Sequence, residues 1–124
     1  MEERTRSMQT TPQMLDDVVE RLPDNIAVRN AESPTAEPSQ ITYKELASDS
    51  MRLAAALAEL GVRKGDRVVI LSKPRVRFAV SVIGILRSGA WVVPVDPSFT
   101  VQERAAIFNH AQPKAVIAPG ELLK

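Results

Sequence analysis

Three polar or turn-forming residues follow an apolar run in this sequence, and they raise the question of whether the chain carries a catalytic loop. The run from Ala90 to Val95 reads AWVVPV, and Asp96, Pro97 and Ser98 come directly after it. A carboxylate beside a hydroxyl at the end of a strand could belong to a site. The same residue types also form ordinary turns, so the segment could equally be the rim of a sheet whose site is built elsewhere.

Other motifs with a standard chemical role are missing from the sequence. The five glycines form neither G-x-G-x-x-G nor G-x-x-x-x-G-K-S/T, so no standard phosphate loop is expected. His110 is the single histidine, without a second histidine for a metal or a G-x-S-x-G serine for a triad. We therefore predict no catalytic residue and no metal site, and a surface or capping role for His110.

The charged residues give only weak indications of a functional site. Asp16 and Asp17 are predicted in the first turn of a helix, where carboxylates stabilise the positive end of the helix dipole. Lys73, Arg75 and Arg77 are interpreted as a solvated helix face, with a phosphate contact as the alternative. Because 16 basic residues face 15 acidic ones, the formal charge of +1 gives no bias toward nucleic acid.

Size and composition favour one ordinary globular domain. The chain has 124 residues, of which 44% are hydrophobic and 25% charged. Residues 1–10 are predicted to be a disordered tail, and residues 11–124 to form the domain. The polar N-terminus does not resemble a signal peptide, and no apolar run approaches the roughly 20 residues of a membrane span. With no cysteine, the chain fits a reducing compartment, and we expect it in the cytoplasm.

Capping signals and apolar spacing predict the elements of the first half. Thr11 is predicted to be the N-cap of a short amphipathic helix with Pro12 at its first position. Residues 26–30 and 40–43 are predicted to form a hairpin with a flexible, proline-containing tip. Thr42 and Glu45 form a T-x-x-E capping box, which begins a helix that ends at Gly61. Leu46, Leu53, Ala54, Leu57 and Leu60 are expected on its buried face, and Met8, Met14 and Met51 in the core.

The second half alternates between strands and helices. Strands are predicted at residues 67–71, 90–95 and 115–118. Helices are predicted from Pro74 to Arg87, apolar on nearly all sides and deeply buried, and from the Thr100–Glu103 capping box to the residues before Pro113. This alternation is typical of parallel strands joined by helical crossovers. The predicted class is α/β, a Rossmann-like parallel sheet with flanking helices, in which Val69, Val92 and Val116 lie on neighbouring strands.

Three motifs in order resemble the opening of the adenylate-forming enzymes, the AMP-binding superfamily of acyl-CoA synthetases, luciferases and nonribosomal peptide synthetase adenylation domains. They are ITYKEL, LAAALAELGVRKGDRVVIL and FAVSVIGILRSGAWVVPVDPSF. Arg87 and Ser88 stand where the family usually has lysine and alanine, and Ser72 where asparagine is common. The resemblance begins near Pro23 and implies the N-terminal subdomain of the adenylate-forming fold.

This resemblance also implies a reaction. Such enzymes join a carboxylic acid to ATP, with Mg²⁺, as an acyl-adenylate, and then pass the acyl group to the thiol of CoA or of a carrier's phosphopantetheine. Their phosphate loop, ribose-binding aspartate, hinge and catalytic lysine all follow the region matched here. The resemblance therefore predicts that this chain alone is catalytically incompetent and needs no cofactor. Only Asp96, Pro97, Ser98 and Lys124 are candidates for a site, as a border of the CoA path.

Two functions from different classes remain open, with a small nucleotide-binding Rossmann module as a third. The chain could be the N-terminal fragment or a truncated form of a ligase, or a free-standing, non-catalytic binding or regulatory protein derived from the family. In both cases we expect protein contacts, with the remainder of the enzyme, with itself or with a homologue. These motifs do not identify the acid substrate, and they do not decide between CoA and a carrier protein as the acceptor.

Overall fold

The fold is seen in a computed structural model, which describes residues 9–30, 39–73 and 75–118. Four helices and five strands lie in these ranges, and all of them were predicted from the sequence. They are α1 (Thr11–Arg21), β1 (Ile26–Arg29), β2 (Gln40–Thr42), α2 (Tyr43–Glu59), β3 (Arg67–Leu71), α3 (Val76–Arg87), β4 (Trp91–Val95), α4 (Val101–Ala111) and β5 (Ala115–Ile117).

A parallel sheet with the strand order β4-β3-β5 forms the centre of the molecule. Val69 lies opposite Val93 on one side and Val116 on the other, which confirms the predicted neighbours and their parallel direction. Strand β3 is central because its apolar run tolerates cover on both faces. Its residues Val68, Val69 and Ile70 are fully buried.

Helices cover both faces of this sheet. On one face, Val68 and Ile70 of β3 pack with Leu57 of α2 and Ile85 of α3. On the other face, the residues of the sheet pack with α4 through Ile107 and Phe108. The crossover from β3 to β4 uses α3 and passes over one face of the sheet. The connection from β4 past β3 to β5 uses α4, runs across the sheet in the opposite direction and passes over the other face. This is what crossovers of one hand require, and it makes the fold doubly wound.

Helix α3 is less deeply buried than its composition predicts. Only Val76, Ser81, Gly84 and Ile85 are buried, and the other apolar residues of the helix are half-buried. The contact with α2 is nevertheless close, since a Cβ on Gly84 would lie 2.6 Å from Cδ2 of Leu53. The prediction of an all-round buried helix is therefore wrong. The described elements leave part of its surface uncovered.

Helix α1 differs from its prediction at the first turn. Thr10, not Thr11, is the N-cap, and its hydroxyl accepts a hydrogen bond from the Gln13 amide at 3.2 Å. Asp16 and Asp17 therefore lie beyond the first turn, and their predicted interaction with the helix dipole is wrong. The tail predicted for residues 1–10 falls mostly outside the described residues, which begin at Gln9.

Some residues expected in the core are exposed. Met14 and Met51 are 54% and 51% exposed, and Leu60 is 69% exposed. Met14 lies next to Leu15, which takes the buried position of α1. Leu60 is the C-cap of α2, after which Gly61 turns the chain away with a φ of 93°. Met8 lies outside the described residues.

The predicted hairpin is present as the antiparallel pair β1–β2. Its tip lies in residues 31–38, outside the described ranges. The last described residue before the tip, Asn30, is buried, and its side-chain oxygen accepts a hydrogen bond from the Val76 amide at 3.0 Å. The end of the hairpin therefore caps α3, although Asn30 and Val76 are 46 residues apart in the chain. None of the helices seen in the described ranges is long and apolar enough to cross a membrane.

Candidate site at the carboxyl edge of the sheet

The carboxyl ends of β3 and β4 bring two loops together. Leu71, the last residue of β3, lies opposite Val95, the last residue of β4. The segment beginning with Ser72 and Lys73 therefore leaves the sheet beside the segment beginning with Asp96. Parallel strands end at a common edge, and ligands of doubly wound folds bind outside that edge. This edge is the candidate site.

Asp96 organises its own loop. Its carboxylate accepts a hydrogen bond from the Ser98 amide at 2.8 Å, and its carbonyl oxygen accepts one from the Phe99 amide at 3.0 Å. This is the aspartate-initiated turn that the sequence offered as one interpretation of Asp-Pro-Ser. Thr100 follows as the N-cap of α4, in the predicted capping box with Glu103. The loop thus turns the chain directly from β4 into α4.

The charge of Asp96 is stabilised by the same contacts. The backbone amide and then the hydroxyl of Ser98 donate hydrogen bonds to the carboxylate, and the ammonium group of Lys73 adds a favourable Coulomb interaction. Together these groups hold the pKa of Asp96 below its ordinary value, with Ser98 contributing most, against an opposing effect of desolvation that ranks above the contribution of Lys73. Asp96 is exposed and ionised at neutral pH. It is therefore a poor general base and a good turn residue.

Three cations follow β3 in the chain, and one of them, Lys73, acts electrostatically on Asp96. Lys73, Arg75 and Arg77 are all exposed, but only Arg77 lies within α3. The interpretation of the three as one helix face is therefore wrong for the first two, which belong to the loop after β3. The edge combines solvated cations with one carboxylate held in a turn. The described residues contain no cluster of three or more metal-ligating side chains.

The structure brings together three of the four residues that the sequence predicted for a site. Asp96, Pro97 and Ser98 form one turn at the sheet edge, with Ser98 exposed and Pro97 half-buried. Lys124 lies outside the described residues. Sequence reasoning did not place Lys73 beside Asp96, although the rule for parallel strand ends could have done so once the strand order was known. It also missed Asn30, whose role depends on a contact across 46 residues.

A second concave region lies at the opposite end of β4. Trp91, Val93, Ile107 and His110 are among the residues that line a groove of about 570 Å³ between β4 and α4. His110 is exposed in the last turn of α4, which agrees with its predicted surface role. Trp91 is 67% exposed. The groove is apolar and lies at the amino end of the strands, away from the edge where doubly wound folds bind ligands.

The fold and the loop at its carboxyl edge define a doubly wound α/β subdomain, and comparison with known proteins gives its family. The family model for AMP-binding enzymes matches residues 15–124. The chain therefore belongs to the AMP-binding enzymes, as the three motifs indicated.

Individual relatives agree with this assignment. The chain is 35% identical over 106 residues to malpinin synthetase of Mortierella alpina, covering 86% of this chain and 1% of that protein. It is 34% identical over 116 residues to the 3-[(3aS,4S,7aS)-7a-methyl-1,5-dioxo-octahydro-1H-inden-4-yl]propanoyl:CoA ligase of Mycobacterium tuberculosis, covering 94% of this chain and 22% of that one.

Solved structures place the fold more narrowly. The complex of VinN with 3-methylaspartate superposes with a TM-score of 0.82 at 25% identity, over 92% of this chain and 30% of VinN. The fold is that of the N-terminal subdomain of adenylate-forming enzymes. The chain spans less than a third of the length of each of these relatives.

Proposed function

We propose that this chain is the N-terminal part of an adenylate-forming ligase, which activates a carboxylic acid with ATP and passes the acyl group to a thiol. The observation that carries this proposal is the match of residues 15–124 to the AMP-binding family, over only 22% of the CoA ligase relative. The doubly wound sheet supplies the framework, and the catalytic groups belong to the rest of the enzyme. We place the protein in the cytoplasm.

The chain alone is proposed to be inactive. Forming an acyl-adenylate requires donors and cations fixed around the charge that develops on the phosphate, and such groups contribute several kcal/mol each. At the described sheet edge, the exposed cations are solvated and the one carboxylate is engaged in a turn. ATP and Mg²⁺ therefore act in the longer enzyme, where further groups surround them.

A matched pair of proteins tests this function. ATP–pyrophosphate exchange is measured with fatty acids, aromatic acids and amino acids, for residues 1–124 and for the same residues fused to the downstream part of the CoA ligase relative. The expected result is no exchange above a heat-treated control for the short chain, and exchange with at least one acid for the fusion. Exchange by the short chain would show that the proposed inactivity is wrong.

The loop of Asp96 is proposed to border the path of the CoA or phosphopantetheine thiol in the complete enzyme. Support comes from its position at the carboxyl edge, where Ser98 is exposed and Lys73 acts electrostatically on Asp96. A pantetheine arm carries amides and a phosphate, which a hydroxyl and an ammonium group can bind.

The two half-reactions separate this role from a purely structural one. In an active full-length enzyme, Ser98→Ala and Lys73→Gln should raise the KM for the thiol several-fold and leave pyrophosphate exchange unchanged. Asp96→Asn is the matched control, because its amide oxygen can still accept the Ser98 amide. Equal loss in both half-reactions would indicate that the loop only supports the fold.

A second candidate function is a non-catalytic binding protein. The observation that favours it is the exposed apolar groove beside Trp91, since contiguous apolar surface often marks a protein contact. The gene distinguishes the candidates. An open reading frame that continues into a Ser/Thr/Gly-rich loop supports the ligase, and a stop codon after Lys124 supports the binding protein.

A further inference from the structure

The groove between β4 and α4 presents apolar side chains that no described element covers. Trp91 is 67% exposed and Ala106 is exposed, and both line this groove of about 570 Å³. Val93 and Ile107 line it as well and are only half-buried. No residue of α4 is buried, so this helix covers the β4 side of the sheet incompletely. Contiguous apolar surface of this kind marks a place of contact.

The outer edge of β4 is a poor place to add a further strand. The Trp91 amide donates to the Asp66 carbonyl at 2.7 Å, so the backbone groups of Trp91 point toward β3. Successive residues of a strand direct these groups to alternate sides, and those of Val92 and Pro94 therefore point outward. Pro94 has no N–H to donate to a neighbouring strand. A partner on this side is therefore expected to bind through side chains.

The groove is basic at one end. Arg67 and His110 line it there, and none of the described residues that line it is acidic. The Arg67 guanidinium is held at the end of α4, because its Nε donates to the Ala111 carbonyl at 2.7 Å. A partner that fits both features has an apolar surface for the groove and a carboxylate for Arg67.

Related structures are much longer than this chain even where they contain a single subdomain. The chain superposes on the N-terminal subdomain of Klebsiella oxytoca NpsA with a TM-score of 0.79, and it covers 28% of that subdomain. In folds of this class, helices cover both faces of the parallel sheet. Further polypeptide of the same enzyme is therefore the occupant that the length of these relatives favours.

We propose that a helix from the downstream polypeptide of the same enzyme docks in this groove, beside α4. Its apolar side chains contact Trp91 and Ile107, and a carboxylate at one end binds Arg67. The helix completes the layer that α4 begins, and it leaves the edge at Pro94 unpaired. This inference rests on the proposed function, because it requires a chain that continues into the rest of a ligase.

Hydroxyl-radical labelling read by mass spectrometry tests the docking, because it measures the exposure of single side chains. Residues 1–124 are compared with the fusion to the downstream part of the CoA ligase relative. Trp91 should be labelled about fivefold more slowly in the fusion, since a docked helix excludes water from its side chain. Met14, which is 54% exposed on α1, is the internal reference. Equal labelling of Trp91 in the two proteins would overturn the proposal.

ATP–pyrophosphate exchange by the same fusion separates this proposal from the proposed function. An active fusion in which Trp91 is labelled as fast as in the short chain would overturn the docking and support the function. An inactive fusion in which Trp91 is protected would support the docking and contradict the function.

Two adjacent alanines of α4 provide a matched pair of variants. Ala105 and Ala106 are both exposed, and of the two only Ala106 lines the groove. In the fusion, Ala106→Asp should raise the labelling of Trp91 several-fold, because the new carboxylate would be buried by the docked helix without a partner. Ala105→Asp should leave the labelling unchanged. Circular dichroism of the short chain should show both variants folded, and equal labelling of Trp91 in the two fusion variants would contradict docking at this groove.

Discussion

Arg87 at the end of α3 holds Asp16 in the middle of α1 through two hydrogen bonds, although 71 positions separate them in the chain. Nη2 donates to Oδ1 at 2.7 Å and Nη1 donates to Oδ2 at 3.2 Å, while Nε donates to the hydroxyl of buried Ser50 at 2.9 Å. The Arg87 side chain is 12% exposed and that of Asp16 is 45% exposed. One guanidinium thus joins α1, α2 and α3.

Replacing Arg87 by lysine, the usual residue of the related motif, should therefore destabilise this chain. An ammonium group cannot make these three directed bonds from one position, so we expect a loss of about 1–2 kcal/mol in the free energy of unfolding. Urea denaturation measures the loss. Arg75→Lys, at an exposed position, is the control and should change stability by less than about 0.5 kcal/mol. Equal stability of Arg87→Lys and wild type would contradict the prediction.

Gly84 lies at a close contact between α2 and α3. A Cβ at this position would lie 2.6 Å from Cδ2 of Leu53 and 2.9 Å from its Cβ, so Gly84→Ala forces a shift of the interface. Overpacking of this kind costs about 1–3 kcal/mol, more than the gain of roughly 1 kcal/mol in helix propensity. Thermal unfolding should show a lower Tm. In a double-mutant cycle, Leu53→Ala should absorb part of this cost, and strictly additive effects would show that the two positions are not coupled.

Asn30 should contribute to stability as a distant cap of α3. Arg75, the N-cap residue by position, has no capping side-chain bond, and the buried Asn30 oxygen accepts from the Val76 amide instead. Asn30→Ala leaves this amide without its acceptor and should cost about 1–2 kcal/mol. Asn30→Asp keeps an acceptor at the same place and serves as the comparison in chemical denaturation. If Asn30→Ala left the free energy of unfolding unchanged, the contact with Val76 would contribute nothing to stability.

The turn at Asp96 should make stability depend on pH in the acid range. The folded state lowers the pKa of Asp96 from its ordinary value of 3.8, chiefly through the Ser98 amide, so the folded state binds this proton less tightly than the unfolded state. The contribution of ionised Asp96 to the stability of the fold is complete above the pKa that this group has in the unfolded state. It is lost as the pH falls through the lower pKa of the folded state.

Asp96→Asn removes this titration and keeps an acceptor for the Ser98 amide. The stability of the wild type relative to this variant should be constant above about pH 5 and should fall below about pH 4. Denaturation curves measured from about pH 6 down to about pH 3 test the sign. A difference that grows on acidification would contradict it.

The sequence by itself determined the elements and much of their class. Capping boxes, prolines and glycines act through neighbouring backbone atoms, so Thr42, Thr100 and Gly61 have their predicted roles. Apolar runs between helical segments likewise predicted a parallel sheet. The three ordered motifs identified the family, because their order and spacing are far more specific than any one of them.

Tertiary structure decided which residues meet. The order β4-β3-β5 brings Lys73 beside Asp96, and no local pattern specifies that order. The exposure of Met14, Met51 and Leu60 was likewise misjudged, since composition gives hydrophobicity but not the position of a residue around its helix relative to its neighbours. Long-range contacts such as Arg87 with Asp16, and Asn30 with Val76, form only when packing closes loops of many residues. Their energies depend on geometry that local sequence does not encode.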